Sequence, residues 1–225
     1  MGDPLGWEDG TSATDTAGMG GNGRLGDSAS GAVVLPIKAF SRAKERLAGV
    51  LGGAERAELA RRMADIVILA ARPLPVIVAC DDGEVATWAG LHGAEVSWSM
   101  GLDLNGAISK AVAVGASRGF TSIAVIHTDL PLAKGFSHLF GFGGVTLVPD
   151  LAGLGTNACC LPTDIPFRFS YGEGSLRRHY HEALRHNRGV RIVKDRRLGR
   201  DIDVAADLVG LGGLLGGPMG ASTGR

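Results

Sequence analysis

The run Ile123-Ala124-Val125-Ile126-His127-Thr128-Asp129-Leu130-Pro131-Leu132 constrains the fold most: it is short, apolar and β-branched, and it ends in a carboxylate and then a proline. A run of that length bounded by turn residues predicts a buried strand, and Pro131 disfavours helical backbone at the residue before it. Asp129 therefore belongs where that strand's carboxyl end opens. In open α/β sheets ligands bind at this edge. By itself the residue says little, because aspartate also forms turns and caps helices.

Further short apolar runs at 32–36, 76–80, 95–98, 145–149, 158–161 and 190–193 are expected strands. Between them, Leu59, Met63, Ile66, Val67 and Ala70 recur at helical spacing within 54–72, and Leu104, Ile108, Ala111, Val112 and Gly115 make a second stripe. Helices are also expected around 85–91, over a short stretch at 134–140, and at 176–187. The pattern predicts an α/β domain with a mixed, mostly parallel sheet flanked by helices.

The chain has 225 residues, 45% of them hydrophobic, which suits one domain with tails. Its 23 basic and 23 acidic side chains balance, so no global field recruits nucleic acid or an anionic membrane, and any anion binding must be local. Apolar stretches such as 66–71 and 74–80 fall far short of the roughly 20 residues a membrane span needs. Residues 1–30 are rich in Gly, Asp, Ser and Thr, with neither the basic start nor the apolar region of a secretory signal. A disordered tail is expected there, with Met19 a possible alternative start, followed by a folded domain over 31–209 and a flexible glycine-rich tail over 210–225. Cys80, Cys159 and Cys160 read as small core residues of a soluble, cytoplasmic protein.

Lys38, Arg42, Lys44 and Arg46 follow the first strand within nine residues. Such a run is often a solvated helix start, but this loop is where nucleotide phosphates are commonly held. No glycine-rich phosphate motif is present, so side chains would do the holding. Asp81-Asp82-Gly83 reads as a turn and cap more readily than as a cation site. Asn105-Gly106 is either a cap with a close-packing glycine or a donor pair facing a ligand. The loop before Thr156 is either a close-approach loop or a plain hairpin. Gly172-Glu173-Gly174-Ser175 suits a phosphate at a helix start, or Ser175 as an N-cap. His179, His181 and His186 contain no i,i+4 pair and read as packing or surface residues.

Asp201-Ile202-Asp203 is more restrictive. In extended backbone Asp201 and Asp203 point to one side while Ile202 faces the core. Two carboxylates that close are unfavourable without a cation. With Asp129 they would form an oxygen site suited to Mg²⁺.

In this order the motifs resemble the 2-phospho-L-lactate or phosphoenolpyruvate guanylyltransferases of deazaflavin coenzyme F-420 biosynthesis. The resemblance rests on Leu35-Pro36-Ile37-Lys38, on Ser41 to Leu47, on Asp81-Asp82, Leu104-Asn105, Asp129-Leu130-Pro131-Leu132 and Gly155-Thr156-Asn157, and on Gly172 to Ser175 and Asp201-Ile202-Asp203. It implies a Rossmann-like nucleotidyltransferase fold in which Asp129, Asp201 and Asp203 hold Mg²⁺. It implies that Thr156, Gly172 and Ser175 bind a phosphorylated three-carbon acid, and that Pro36, Lys38, Arg42, Lys44, Asn105 and Gly106 bind GTP. Lys38, Lys44 and Asp129 are then the expected catalytic residues, and direct hand-off of a labile product to the next transferase is implied.

His127-Thr128 and Cys159-Cys160 depart from the family's usual small or aliphatic residues, and His127 is placed to affect the ion's surroundings. Rival readings are another nucleotidyltransferase, of molybdopterin or sugar-phosphate type, and an idle nucleotide-binding domain. Asp129→Asn is expected to abolish turnover and leave the melting temperature unchanged or higher, by relieving carboxylate repulsion.

Overall fold

The computed structural model describes residues 31–209; the expected tails at 1–30 and 210–225 lie outside the described residues. The elements are β1 (Gly31–Pro36), α1 (Gly53–Ala70), β2 (Val76–Cys80), α2 (Gly83–Leu91), β3 (Glu95–Trp98), α3 (Leu104–Ser117), β4 (Ser122–Ile126), β5 (Val145–Pro149), β6 (Thr156–Pro162), α4 (Ser175–Arg185) and β7 (Val190–Ile192). The strands form one sheet in the order β3-β2-β1-β4-β6-β5-β7. Only β6 runs against its neighbours, so its first residues lie beside the last of β4, with Ile126 opposite Ala158. This is the expected mixed, mostly parallel sheet.

Period-two alternation divides the core. Ala124 and Ile126 of β4 pack with Ala64, Val67 and Trp88 from α1 and α2, whereas Ile123 and Val125 pack with Ile108, Ala111 and Leu176 from α3 and α4. Each large apolar side chain buried this way contributes roughly 1.5–3 kcal/mol. A third, smaller cluster at the carboxyl edge joins Leu47, Leu51, Leu59 and Met63 to Ile202. It seats the chain's late segment over the edge where β1 and β4 end.

Local chemistry explains the helix starts. Asp82 caps α2 by accepting from the N–H groups of Glu84 and Val85, as expected of an acidic turn. Asp103, not Asn105, caps α3, accepting from Gly106 N–H at 2.8 Å. A Cβ at position 106 would lie 3.1 Å from that carboxylate, so the glycine permits the close cap.

Three expectations need correction. Instead of a helix over 134–140 there is a single 3-10 turn at Ser137–Leu139, because Gly135 takes φ +74° just before it and Phe136 and Leu139 are anchored in the core. Ser175 is not the N-cap of α4; Gly174, at φ 67°, takes that position, and Ser175 begins the helix. The segment from Lys38 to Arg46 is also no helix start but two 3-10 turns, Phe40–Arg42 and Glu45–Leu47, hinged at Lys44. Among the described residues no helix is long and apolar enough to cross a membrane.

Candidate active site

Asp129 lies three residues beyond β4, in a stretch held to β6 by His127 N–H donating to Asn157 O. Ile202 is fully buried in the carboxyl-edge cluster, and its N–H donates to Asp129 O over 3.2 Å. That backbone bond and the alternation at 201–203 bring Asp201 and Asp203 to Asp129. One carboxylate oxygen from each of the three lies within 4.8 Å of the others.

The electrostatics of the cluster are uneven. Burial, and then the charges of Asp129 and Asp203, push the Asp201 carboxyl up to about 6. Burial alone would also raise Asp129, but the charge and hydrogen bond of Lys44 hold it below the usual carboxylate range. Asp129 Oδ1 is nonetheless buried with no hydrogen-bond partner. An orphaned carboxylate oxygen within an all-oxygen donor set fits a hard divalent cation.

Lys44 has left-handed backbone, φ 54° and ψ 40°, between its two turns. Buried Phe40 and Leu47 anchor those turns on either side. The ammonium donates to Asp129 Oδ2 at 2.7 Å and to Asp203 Oδ1 at 3.2 Å. Burial disfavours its charge, yet the two carboxylates more than offset this, and its pKa is raised. Arg46 reaches Asp203 from the exposed side at 3.4 Å. Beneath this pair a cavity of about 180 Å³ is lined by Pro36, Lys38, Lys44, His127 and Asp129 among others. Arg42, Asn105 and Gly106 are not part of its lining. Arg42 is exposed on the first turn, and Asn105 Oδ1 accepts from Tyr171 N–H at 2.7 Å, tying α3 to the loop before α4.

Thr156, Gly172 and Ser175 form a second group. Thr156 opens β6, at the end of a β5–β6 hairpin loop closed by the Asp150 carboxylate on Leu154 and Gly155 N–H and tied to α4 by Leu176 N–H donating to Leu154 O. Ser175 Oγ accepts from Thr156 N–H at 3.0 Å, and Ser175 N–H donates to Gly172 O. Both hydroxyl residues are buried, whereas Gly172 is exposed at φ +118°. The groups meet through Asn157, whose side-chain amide donates to Leu198 O at 3.0 Å and reaches Asp201 at 3.5 Å. Asn157 stands in the Gly155-Thr156-Asn157 motif of the sequence without a role assigned there, because its partners Leu198 and Asp201 lie 41 and 44 residues on.

Two histidine contacts complete the floor. His127 packs on Tyr171 with ring centroids 4.9 Å apart, and burial lowers its pKa. His179, fully buried, stands under Thr156.

The family model described as guanylyl transferase CofC like matches residues 31–217. The chain belongs to this family. It is accordingly a nucleotidyltransferase, and the curated relatives of the family agree. The chain is 32% identical over 199 residues to the phosphoenolpyruvate guanylyltransferase of Sphaerobacter thermophilus, covering 84% of this chain and 95% of that protein. It is 30% identical over 184 residues to the 2-phospho-L-lactate guanylyltransferase of Methanothermobacter thermautotrophicus, covering 78% and 81%. Among solved structures, a Methanothermobacter nucleotidyl transferase superposes with TM-score 0.57 at 16% identity, over 80% of this chain and 94% of that one. A 4-diphosphocytidyl-2C-methyl-D-erythritol synthase does so with TM-score 0.56 at 9% identity, over 84% and 100%. At such identities these two establish the fold alone, and it is the Rossmann-like nucleotidyltransferase fold.

Proposed function

We propose that this protein transfers GMP from GTP to the phosphate of phosphoenolpyruvate or 2-phospho-L-lactate, releasing pyrophosphate, as a cytoplasmic step of coenzyme F-420 biosynthesis. The observation that carries the reading is the convergence of Asp129, Asp201, Asp203 and Lys44 at the sheet's carboxyl edge, within the family's matched span.

The reaction brings two polyanions together. An acceptor phosphate oxygen is already ionised at neutral pH, so no general base is required, and the work is positioning and charge neutralisation. Asp129, Asp201 and Asp203 would hold Mg²⁺, which when bound supplies positive charge to the α-phosphate and the leaving pyrophosphate. Lys44 and Lys38 line one cavity and supply cations to the triphosphate, with Arg42 adding charge from outside. Pro36, Asn105 and Gly106 flank the nucleoside, and Thr156, Gly172 and Ser175 orient the acid. An acceptor oxygen bonds to the α-phosphorus as the bond to the β-phosphate bridge breaks, and pyrophosphate leaves with that electron pair. The product joins two phosphoryl groups to an activated acid, so direct use by the next transferase of the pathway is part of the proposal.

The test is the origin of the bridging oxygen. Full-length protein is given Mg²⁺, GTP and phosphoenolpyruvate or 2-phospho-L-lactate carrying ¹⁸O in its phosphate. The expected product is the acceptor joined to GMP with all the label retained, beside unlabelled pyrophosphate. Label in pyrophosphate, or GMP released without acceptor, would contradict the reading.

A further inference from the structure

We infer that His179, which no part of the proposed chemistry uses, is a positioning residue that fixes the hydrogen-bond polarity of the Thr156–Ser175 hydroxyl pair so that it donates to an anionic acceptor. This inference rests on the assignment of Thr156, Gly172 and Ser175 to the acceptor.

His179 is fully buried on α4, between the loop before that helix and the first residue of β6. Ser170 N–H donates to its Nε2 at 2.9 Å. A backbone N–H can only donate, so Nε2 carries the lone pair and the hydrogen of the neutral ring sits on Nδ1. Nδ1 lies 3.1 Å from Thr156 Oγ1 and therefore donates to it. Thr156 Oγ1 is thereby an acceptor within the protein, and Ser175 Oγ accepts from Thr156 N–H at 3.0 Å. The two hydroxyls are 3.5 Å apart, so at most one weak bond joins them. At least one hydroxyl hydrogen is left to point away from the protein's own acceptors. With the histidine tautomer reversed, Nδ1 would take the Thr156 hydrogen, leaving the pair only the Ser175 hydrogen to share between Thr156 Oγ1 and a ligand, and one donor fewer for a carboxylate or phosphate.

The same side chain also places the loop. His179 grips Ser170 from inside, while Arg178, its neighbour on α4, donates to Ser170 O at 2.9 and 3.1 Å and also to Glu173 O. Ser170 is thus held at both its N–H and its carbonyl, which fixes where Gly172 and Ser175 fall. Phe169 and Tyr171, each packed edge-to-face with the imidazole, leave it little room to turn.

The experiment compares wild type with His179→Phe, which keeps a flat ring without either nitrogen, His179→Gln, which keeps one donor and one acceptor, Thr156→Val and the His179→Phe/Thr156→Val pair. KM for GTP and for phosphoenolpyruvate or 2-phospho-L-lactate are measured separately, with binding of each acid alone followed by thermal shift. His179→Phe is expected to raise the acceptor KM at least tenfold and leave the GTP KM within twofold, and His179→Gln to fall between it and wild type. Thr156→Val is expected to raise the acceptor KM by itself and to add little in the His179→Phe background. If His179→Phe does not fold, His179→Gln carries the same comparison. An unchanged acceptor KM in the His179 variants, equal changes in both KM values, or effects that simply multiply would overturn the inference while Thr156→Val still marks the acceptor site. If Thr156→Val also leaves the acceptor KM unchanged, the acceptor lies elsewhere and the underlying assignment falls with it.

Discussion

Lys44 and Asp129 are 85 residues apart in sequence and form a 2.7 Å ion pair at the edge of the sheet, largely shielded from water. The ammonium thus sits against the same carboxylates that would hold a metal, with Asp203 as its second partner. Lys44 balances the carboxylates, and under the proposed function it has a second task, meeting the nucleotide's phosphates. Under that proposal, a divalent cation that takes over the carboxylates would free the ammonium for the phosphates.

Lys44→Met is predicted to lower the melting temperature without metal, because the clustered carboxylates lose their shielded cation and keep only the exposed Arg46, at Asp203. Added Mg²⁺ should then raise the melting temperature more than it does in wild type, since it no longer competes with an ammonium. Turnover should fall by about 10²–10³-fold, the usual cost of removing one charge-stabilising group. Thermal shift with and without Mg²⁺ checks the first part, and an equal Mg²⁺ response in both proteins would count against competition.

The ion pair also revises the expectation for Asp129→Asn. Relief of carboxylate repulsion alone would leave stability unchanged or raised, but the substitution strips the shielded Lys44 of its shorter partner and leaves it the more exposed Asp203. Removing one member of a buried pair typically costs about 3 kcal/mol, and Asp203 offsets part of that. Asp129→Asn should therefore unfold at lower denaturant than wild type as well as losing turnover. A midpoint equal to or above wild type would show that repulsion dominates.

Metal affinity should depend on pH through Asp201. Its folded pKa of about 6 lies above the unfolded value, so the stability it contributes is present at low pH and is lost as pH rises through about 6. Mg²⁺ requires the carboxylate, so its affinity should fall below pH 6, approaching about tenfold per pH unit. Calorimetric titration of Mg²⁺ from pH 5 to 8 measures this; a flat profile would remove Asp201 from the ligand set.

His179 contributes with the opposite sign. Burial lowers its pKa to about 4, so its contribution is present above the unfolded value near 6.5 and is lost as pH falls from there through about 4. The full effect is roughly 3 kcal/mol. Because Asp201 slopes the other way over part of this window, the informative quantity is the difference between wild type and His179→Gln in urea midpoints at pH 7, 5.5 and 4.5. Wild type should lose more stability on acidification than the variant, and parallel losses would indicate that His179 is not held neutral.

What the sequence made legible were features with a short period or a local cause. Alternation at 201–203 put Ile202 inward and two aspartates outward, and the acid–acid–glycine turn made Asp82 a cap. Features that depend on distant partners were not legible. Nothing near Lys44 announces that its ammonium meets Asp129, and nothing near His179 announces Thr156. Ser175 looks like an N-cap by residue type, but Gly174 takes the cap position in left-handed backbone and frees the serine hydroxyl for the Thr156 N–H. Phe136, Leu139 and Phe140 have helix-like spacing, but the left-handed Gly135 and the burial of Phe136 and Leu139 limit the segment to one 3-10 turn.

The central claim is guanylyl transfer at the carboxylate cluster, and acceptor-dependent pyrophosphate release tests it most directly. Purified full-length protein with Mg²⁺ and GTP is given phosphoenolpyruvate, 2-phospho-L-lactate and 3-phosphoglycerate in turn, beside Asp201→Asn. At least one of the first two acids should drive release, with little in the absence of acceptor, with CTP in place of GTP, or from the variant. No release with any acid while Mg²⁺ and GTP still bind, or undiminished release from Asp201→Asn, would contradict it.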